Sequence, residues 1–414
     1  MSSAASGSLQ DKTLNKVAVC SAVFAGFAYV GYSYARTAFC RKLSVKNQSC
    51  NSDDDRLQVS RVCSPWGSPR LLSPVDVRNL VSSKSTENLT EIPNGSPSRP
   101  KWVRRSLRKR KEGKKEYEID QKRKLEEEAI SLLQNMSDEL KDRLESLGSK
   151  AGILTPYEAK CLVALLYCRE RKIIEKALVI IANCAAFSVN LDFLREVGCI
   201  HRLCALLQDS EVRLPTVQTL GNVVLSEENI RQARDCLPFL MEFVQNTNED
   251  EGLKLASLIV LTNLATTSDW HEEFCPLLYK LYQLVDSSNH HIQLQSLRLL
   301  VNLACNRDMI PSLLAAEGPR KLCYLVSMET ADPLLLRTLT LLSALSSSVK
   351  YDHIDPSLDL PPEEKAASPD TMYARLFGVG VRERLLSNAH EIMMKHEDTE
   401  INRQALKLYE ALKE

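Results

Sequence analysis

Four segments, each ending in an asparagine on an almost wholly apolar stretch, recur about forty residues apart and narrow the folds open to this chain. They end at Asn183, Asn222, Asn263 and Asn302, as in Ala177-Leu178-Val179-Ile180-Ile181-Ala182-Asn183 and Ser257-Leu258-Ile259-Val260-Leu261-Thr262-Asn263. The asparagines step by 39, 41 and 39 residues. A second series runs in step with them. Ile200/Leu203/Leu206/Leu207 returns as Leu237/Leu240/Phe243/Val244, as Leu278/Leu281/Leu284/Val285 and as Pro319/Leu322/Leu325/Val326. The spacing i, i+3, i+6, i+7 is one face of a helix. One amphipathic helix followed by one buried helix, at a period near forty, predicts a stacked helical solenoid. Such folds offer a long concave surface to other macromolecules, and catalysis is not their usual business.

The formal net charge of zero conceals a division along the chain. Residues 1–150 carry 27 Lys+Arg against 18 Asp+Glu, whereas residues 151–414 carry 26 against 35. A basic front and an acidic solenoid suggest partners of opposite kinds, lipid or acidic protein for the first and basic protein for the second. The 13 cysteines are odd in number and follow no framework, and Cys184, Cys204 and Cys323 fall on apolar helical faces. They read as small hydrophobes in a reducing compartment.

After a short tail over 1–16, residues 17–35 form an uncharged 19-residue stretch. At about 1.5 Å per residue it spans a bilayer's hydrocarbon core. Arg36, Arg41 and Lys42 follow directly, so the more positive flank keeps the C-terminal bulk in the cytosol. A cleaved signal peptide is the competing reading, with Ser33-Tyr34-Ala35 as its cleavage site. Moderate apolarity between basic flanks leans toward the mitochondrial outer membrane.

Residues 36–116 read as a disordered basic linker rich in Ser and Pro. Ser64, Ser73 and Ser96 each precede proline and are candidate phosphosites; Ser85, with Leu80 and Leu89 around it, resembles the bracket of AMP-activated-type kinases but lacks their basic residue three or four before, having Lys84 adjacent instead. The run 99–115 holds ten basic residues and one acid, with Arg104, Arg105, Arg108, Lys109, Arg110 and Lys111 at its centre. It suits nuclear import, anionic-lipid contact or a solvated spacer. Nucleic acid is disfavoured, since Trp102 is the run's one aromatic.

Over 117–149 a helix is predicted, with Leu133, Met136, Leu140, Leu144 and Leu147 as an apolar stripe that could cap the solenoid or pair with a partner helix. The repeats occupy 150–350 and open at Thr155-Pro156-Tyr157-Glu158, a capping box with proline in the first turn. A proline-rich loop over 351–370 precedes a terminal helical repeat over 371–414.

Glu196-Val197-Gly198-Cys199-Ile200 and Leu261-Thr262-Asn263-Leu264-Ala265 resemble armadillo repeats. More narrowly, Asn183-Cys184-Ala185-Ala186-Phe187-Ser188-Val189-Asn190 and Leu299-Leu300-Val301-Asn302-Leu303-Ala304 are similar to the Alex family, the X-linked armadillo-repeat group with its autosomal member. Ser82-Ser83-Lys84-Ser85-Thr86-Glu87-Asn88-Leu89-Thr90-Glu91 resembles a linker of that autosomal member. The resemblance implies an all-α, armadillo-type solenoid behind an N-terminal transmembrane anchor and a disordered linker. It further implies an adaptor on the mitochondrial outer membrane, acting on mitochondrial distribution and dynamics through Miro GTPase and kinesin-adaptor machinery. A nuclear fraction is described for the family, and a nuclear or endoplasmic-reticulum scaffold in transcriptional or signalling regulation is the alternative. Self-association is left open.

In armadillo proteins the third helix lines the concave face, so Asn183, Asn222, Asn263 and Asn302 either bind the backbone of an extended peptide or satisfy neighbouring repeats. One turn earlier, where import receptors carry Trp, stand Val179, Gln218, Ile259 and Arg298, a set unsuited to basic import signals. Arg298 joins the asparagines as a groove candidate. No glycine-rich phosphate loop occurs, and Cys199-x-His201-x-x-Cys204 lacks a fourth ligand for zinc. A non-enzymatic chain without cofactor or metal is expected.

Overall fold

The computed structural model describes residues 101–148, 152–354 and 370–413. The expected anchor at 17–35, its flank Arg36, Arg41 and Lys42, the phosphosite candidates Ser64, Ser73, Ser85 and Ser96, and most of the proline-rich loop lie outside them. Among the described residues, no helix is long and apolar enough to cross a membrane.

The first helix, α1, runs Lys101–Asn135. It begins well before the expected Tyr117, so the basic cluster Arg104, Arg105, Arg108, Lys109, Arg110 and Lys111 lies on helical backbone. Missing apolar periodicity had pointed to disorder there. Lys, Arg, Glu and Leu are nevertheless good helix formers. The predicted apolar stripe divides at Met136 between α1 and α2, Ser137–Gly148. Leu140, Leu144 and Leu147 of α2 are buried against the first repeat. Ion pairs from Lys141 to Glu170 and from Lys176 to Glu145 stand at that junction.

The solenoid starts at α3, Pro156–Leu165, where both halves of the capping box form. The Thr155 hydroxyl accepts from the Glu158 N–H at 3.2 Å, and the Thr155 N–H donates to the Glu158 carboxylate at 2.7 Å. Then come α4 (Arg171–Cys184), α5 (Ser188–Glu196), α6 (Cys199–Leu206), α7 (Arg213–Val223), α8 (Glu227–Gln232), α9 (Leu237–Gln245) and α10 (Glu251–Leu264). They are followed by α11 (Leu278–Val285), α12 (His290–Ala304), α13 (Ile310–Ala315), α14 (Leu322–Leu325) and α15 (Asp332–Asp352). Helices α16 (Met372–Phe377), α17 (Val381–Lys395) and α18 (Thr399–Leu412) end the described chain. In the later units the first segment is partly or wholly a 3-10 turn, at Ala233–Cys236, Ser268–Leu277 and Arg307–Met309.

The long third helices pack in succession, α4 on α7, then α10, α12, α15 and α18. Each interior member is flanked by two others and floored by a second helix such as α9 or α11. That sandwich explains why α10 is apolar nearly all round. Ile200, Leu203, Leu206, Leu207, Leu237, Leu240, Phe243 and Val244 are all buried, as the second series predicts. Gly198 links α5 to α6 with φ of 79°, and a Cβ there would stand 3.4 Å from Leu125 of α1. Glycine therefore serves both the left-handed turn and the close approach of α1.

The last unit docks through backbone bonds, Gly318 N–H to Asp370 O at 2.9 Å and Met372 N–H to Ala316 O at 2.8 Å. On its inner side the Ser343 hydroxyl donates to Gln404 Oε1 at 3.2 Å.

Candidate functional site: the open face of the inner helices

Packing on three sides leaves each third helix one open stripe. On α4 it is Glu175, Val179 and Asn183; on α7, Gln218 and Asn222; on α10, Leu255, Ile259 and Asn263; on α12, Leu294, Arg298 and Asn302. Because these helices pack in succession, their open stripes form one continuous surface. The five groove candidates from the sequence, Asn183, Asn222, Asn263, Asn302 and Arg298, thus share a single surface. Val179 and Ile259 are 52% and 41% exposed there, unusual values for large apolar side chains in helices otherwise so deeply packed.

Three of the asparagines perform the same act. Asn222 donates to Ala182 O at 3.4 Å, Asn263 to Gly221 O at 3.1 Å and Asn302 to Thr262 O at 3.0 Å. Each acceptor is the residue just before the preceding asparagine of the series. Of the two readings open from sequence, the structural one accounts for one amide N–H of each of these side chains. Asn183, at the head of the series, makes no such bond among the described residues.

A second asparagine pair escaped the sequence reading. Asn190 is fully buried, accepting from Leu154 N–H at 2.8 Å and donating to Cys184 O at 2.8 Å and Gly152 O at 3.1 Å. Asn229 repeats this one unit on, donating to Val223 O at 2.8 Å and Leu191 O at 3.5 Å. Both stand six residues past a third-helix carbonyl, and Trp270 takes the same place by donating to Leu264 O at 3.3 Å. The shared offset was the available signal.

Arginines fasten neighbouring units as well. Arg202 donates twice to Leu166 O, at 3.2 and 2.9 Å, and lies 4.1 Å over the Tyr167 ring. Its pKa is lowered, chiefly by burial. Arg213 donates to Leu207 O at 3.0 Å and lies 4.8 Å over Phe243.

The groove series runs one step beyond Arg298. Arg337 of α15 follows Arg298 by the same interval of 39 residues and packs on the adjoining third helix. Burial and then the charge of Arg298 lower its pKa, against the opposing pull of Glu400. Arg298 donates to Gln295 Oε1 at 3.2 Å, and Gln295 donates to Thr262 Oγ1 at 2.8 Å. Beside this pair, α18 contributes Glu400, Arg403 and Lys407. Burial pushes the Glu400 carboxyl up, but hydrogen bonds from Arg403 and Gln404 and the charges of Arg403 and Lys407 outweigh it and hold it below the usual range.

Elsewhere, Cys199 is fully buried with its thiol pushed up to about 12 by desolvation, and Cys204 pairs with Cys236 across two units at a Cα separation of 5.2 Å. That pairing departs from the expectation of thiols acting only as small hydrophobes. No cluster of three metal-ligating side chains occurs among the described residues. A cavity of about 610 Å³ lies where α1 crosses α3, lined by Leu125, Ala129, Leu132, Tyr157 and Val163.

Residues 154–358 match a family model described as Armadillo-like. A crystal structure of an engineered protein is 18% identical with a TM-score of 0.52, covering 69% of this chain and 67% of that one. A designed armadillo repeat protein is 17% identical with a TM-score of 0.48, over 61% of this chain and 98% of its own. Another, titled as in complex with the peptide (KR)4, is 18% identical with a TM-score of 0.49, over 62% of this chain and 99% of its own.

Proposed function

We propose that this chain, an armadillo solenoid in its fold, is a non-enzymatic protein-binding adaptor that holds extended segments of its clients along the open face of α4, α7, α10, α12 and α15. The observation that carries this reading is the continuous stripe from Val179 through Ile259 to Arg298. It leaves apolar and hydrogen-bonding side chains partly or fully exposed on helices that are otherwise deeply packed. A strand laid across successive helices meets one such position per repeat, which is how a repeat array distributes affinity over many modest contacts.

The finer reading rests on the resemblance to the Alex family. Residues 17–35 anchor the chain in the mitochondrial outer membrane with the solenoid in the cytosol, and the clients belong to the Miro GTPase and kinesin-adaptor machinery. Photo-crosslinking residues placed at Gln218 or Ile259 in the full chain should capture protein clients that the same group at Tyr279, on a second helix, does not. Equal capture at Tyr279 would remove the groove from the account. Imaging of the tagged full chain beside one lacking 1–46 tests the anchor. A reticular or nuclear pattern of the full chain would replace the outer-membrane reading with the nuclear or endoplasmic-reticulum scaffold.

A further inference from the structure

The solenoid is acid-rich, with 35 Asp+Glu against 26 Lys+Arg over 151–414, and by overall charge it should attract basic partners. Its groove is charged otherwise. Along the position one turn before the asparagines, the side chains run Val179, Gln218, Ile259, Arg298 and Arg337. The first three carry no charge, and the last two are cations on adjoining helices. At the α18 end Arg403 and Gln404 already engage Glu400, which leaves Lys407 as the added positive charge there. Glu175, an exposed carboxylate one turn before Val179, stands at the opposite end. The open face is therefore polarised along its length, apolar toward α4 and cationic toward α18.

Resting on the groove reading above, we infer that the α12–α15 end of this face takes an acidic segment of a partner protein, in extended form, whose carboxylates are met by Arg298 and Arg337. The spacing fits. Packed helices lie about 8–10 Å apart, and residues i and i+2 of an extended strand sit on one face about 7 Å apart. Two acidic residues two apart therefore reach both guanidinium groups, with an uncharged stretch beside them over Ile259 and Val179. Two arginines held this close repel one another, and burial already lowers Arg337's pKa; a carboxylate between them relieves both penalties. The carboxylate that acts on Arg337 within the chain, Glu400, is itself engaged by Arg403 and Gln404.

The test uses the full chain in detergent and a phage-displayed random peptide library as the probe. Sequences recovered by the native chain should be enriched in Asp or Glu two residues apart. The double variant Arg298→Gln/Arg337→Gln should lose that enrichment, and synthetic copies of the recovered peptides should bind it at least tenfold more weakly, while its thermal unfolding stays close to native. Enrichment in Lys and Arg, no charge preference, or acidic enrichment undiminished in the double variant would each overturn the inference. If native and double variant recover the same uncharged sequences and Ile259→Lys abolishes their capture, the groove reading stands and the acidic assignment falls. If Ile259→Lys leaves every captured sequence in place, both fall. Displacement of the recovered peptides by a synthetic Asn51–Ser60 peptide, which carries Asp53, Asp54 and Asp55, would assign the site to this chain's own front segment and so overturn the assignment to a partner.

Discussion

The carboxamide of Asn302 donates to the backbone carbonyl of Thr262, one unit earlier on the neighbouring inner helix, at 3.0 Å. The bond spans a repeat interface without entering the core, so its worth is that of a partly solvated hydrogen bond. Asn302→Ala and Asn263→Ala should each lower stability by about 0.5–1.5 kcal/mol, read from urea unfolding of the full chain. Asn222→Ala should cost less, its bond being 3.4 Å long and exposed. A loss above the upper figure at Asn222 would mean that the ladder does more than join repeats.

Asn190 is a different case, since its three partners are backbone groups of Leu154, Gly152 and Cys184 and the side chain is fully buried. Each orphaned buried group costs about 1–3 kcal/mol, so Asn190→Ala should destabilise by about 3 kcal/mol or more, well beyond Asn302→Ala. Equal effects at the two positions would contradict this account of the buried asparagines.

Cys204 and Cys236 stand at a Cα separation suited to a disulfide and lie 32 positions apart in sequence. Mass spectrometry of the purified chain after oxidation in air should find these two joined, and Cys204→Ala should remove the link. Closing a loop of this length stabilises by about 2–4 kcal/mol, so a reductant should lower the unfolding midpoint of the native chain and leave that of Cys204→Ala unmoved.

His271 is buried, its imidazole beside the carbonyl of Ala265 at 3.0 Å, and burial lowers its pKa below the ordinary value of 6.5. With a native pKa below the unfolded one, the unfolded chain binds more protons as pH falls. Stability is therefore insensitive to His271 above about 6.5, declines as pH drops through that value, and levels off only below the depressed native pKa. His271→Gln should flatten this part of the stability-pH curve. An unchanged slope between pH 7 and pH 5, or one of opposite sign, would refute the assignment.

Periodicity and end signals were readable along the chain because they are local. The apolar spacing that buries Leu203, Leu240 and Leu281 and the reciprocal bonds of Thr155 with Glu158 involve residues within a turn or two of one another, so residue order alone specifies them. The start of α1 was misplaced for a related reason. A helix of charged residues shows no apolar stripe, and propensity without burial leaves a fainter trace than periodicity. Relations across repeats were settled otherwise. That Asn302 meets Thr262, that Asn190 sits in a pocket of carbonyls, that Cys204 faces Cys236 and that Arg337 joins Arg298 all depend on the register at which one unit stacks on the next. Register arises from packing the whole inner layer at once. It leaves no mark in any short stretch of residues, and only the assembled solenoid turns a forty-residue interval into a contact.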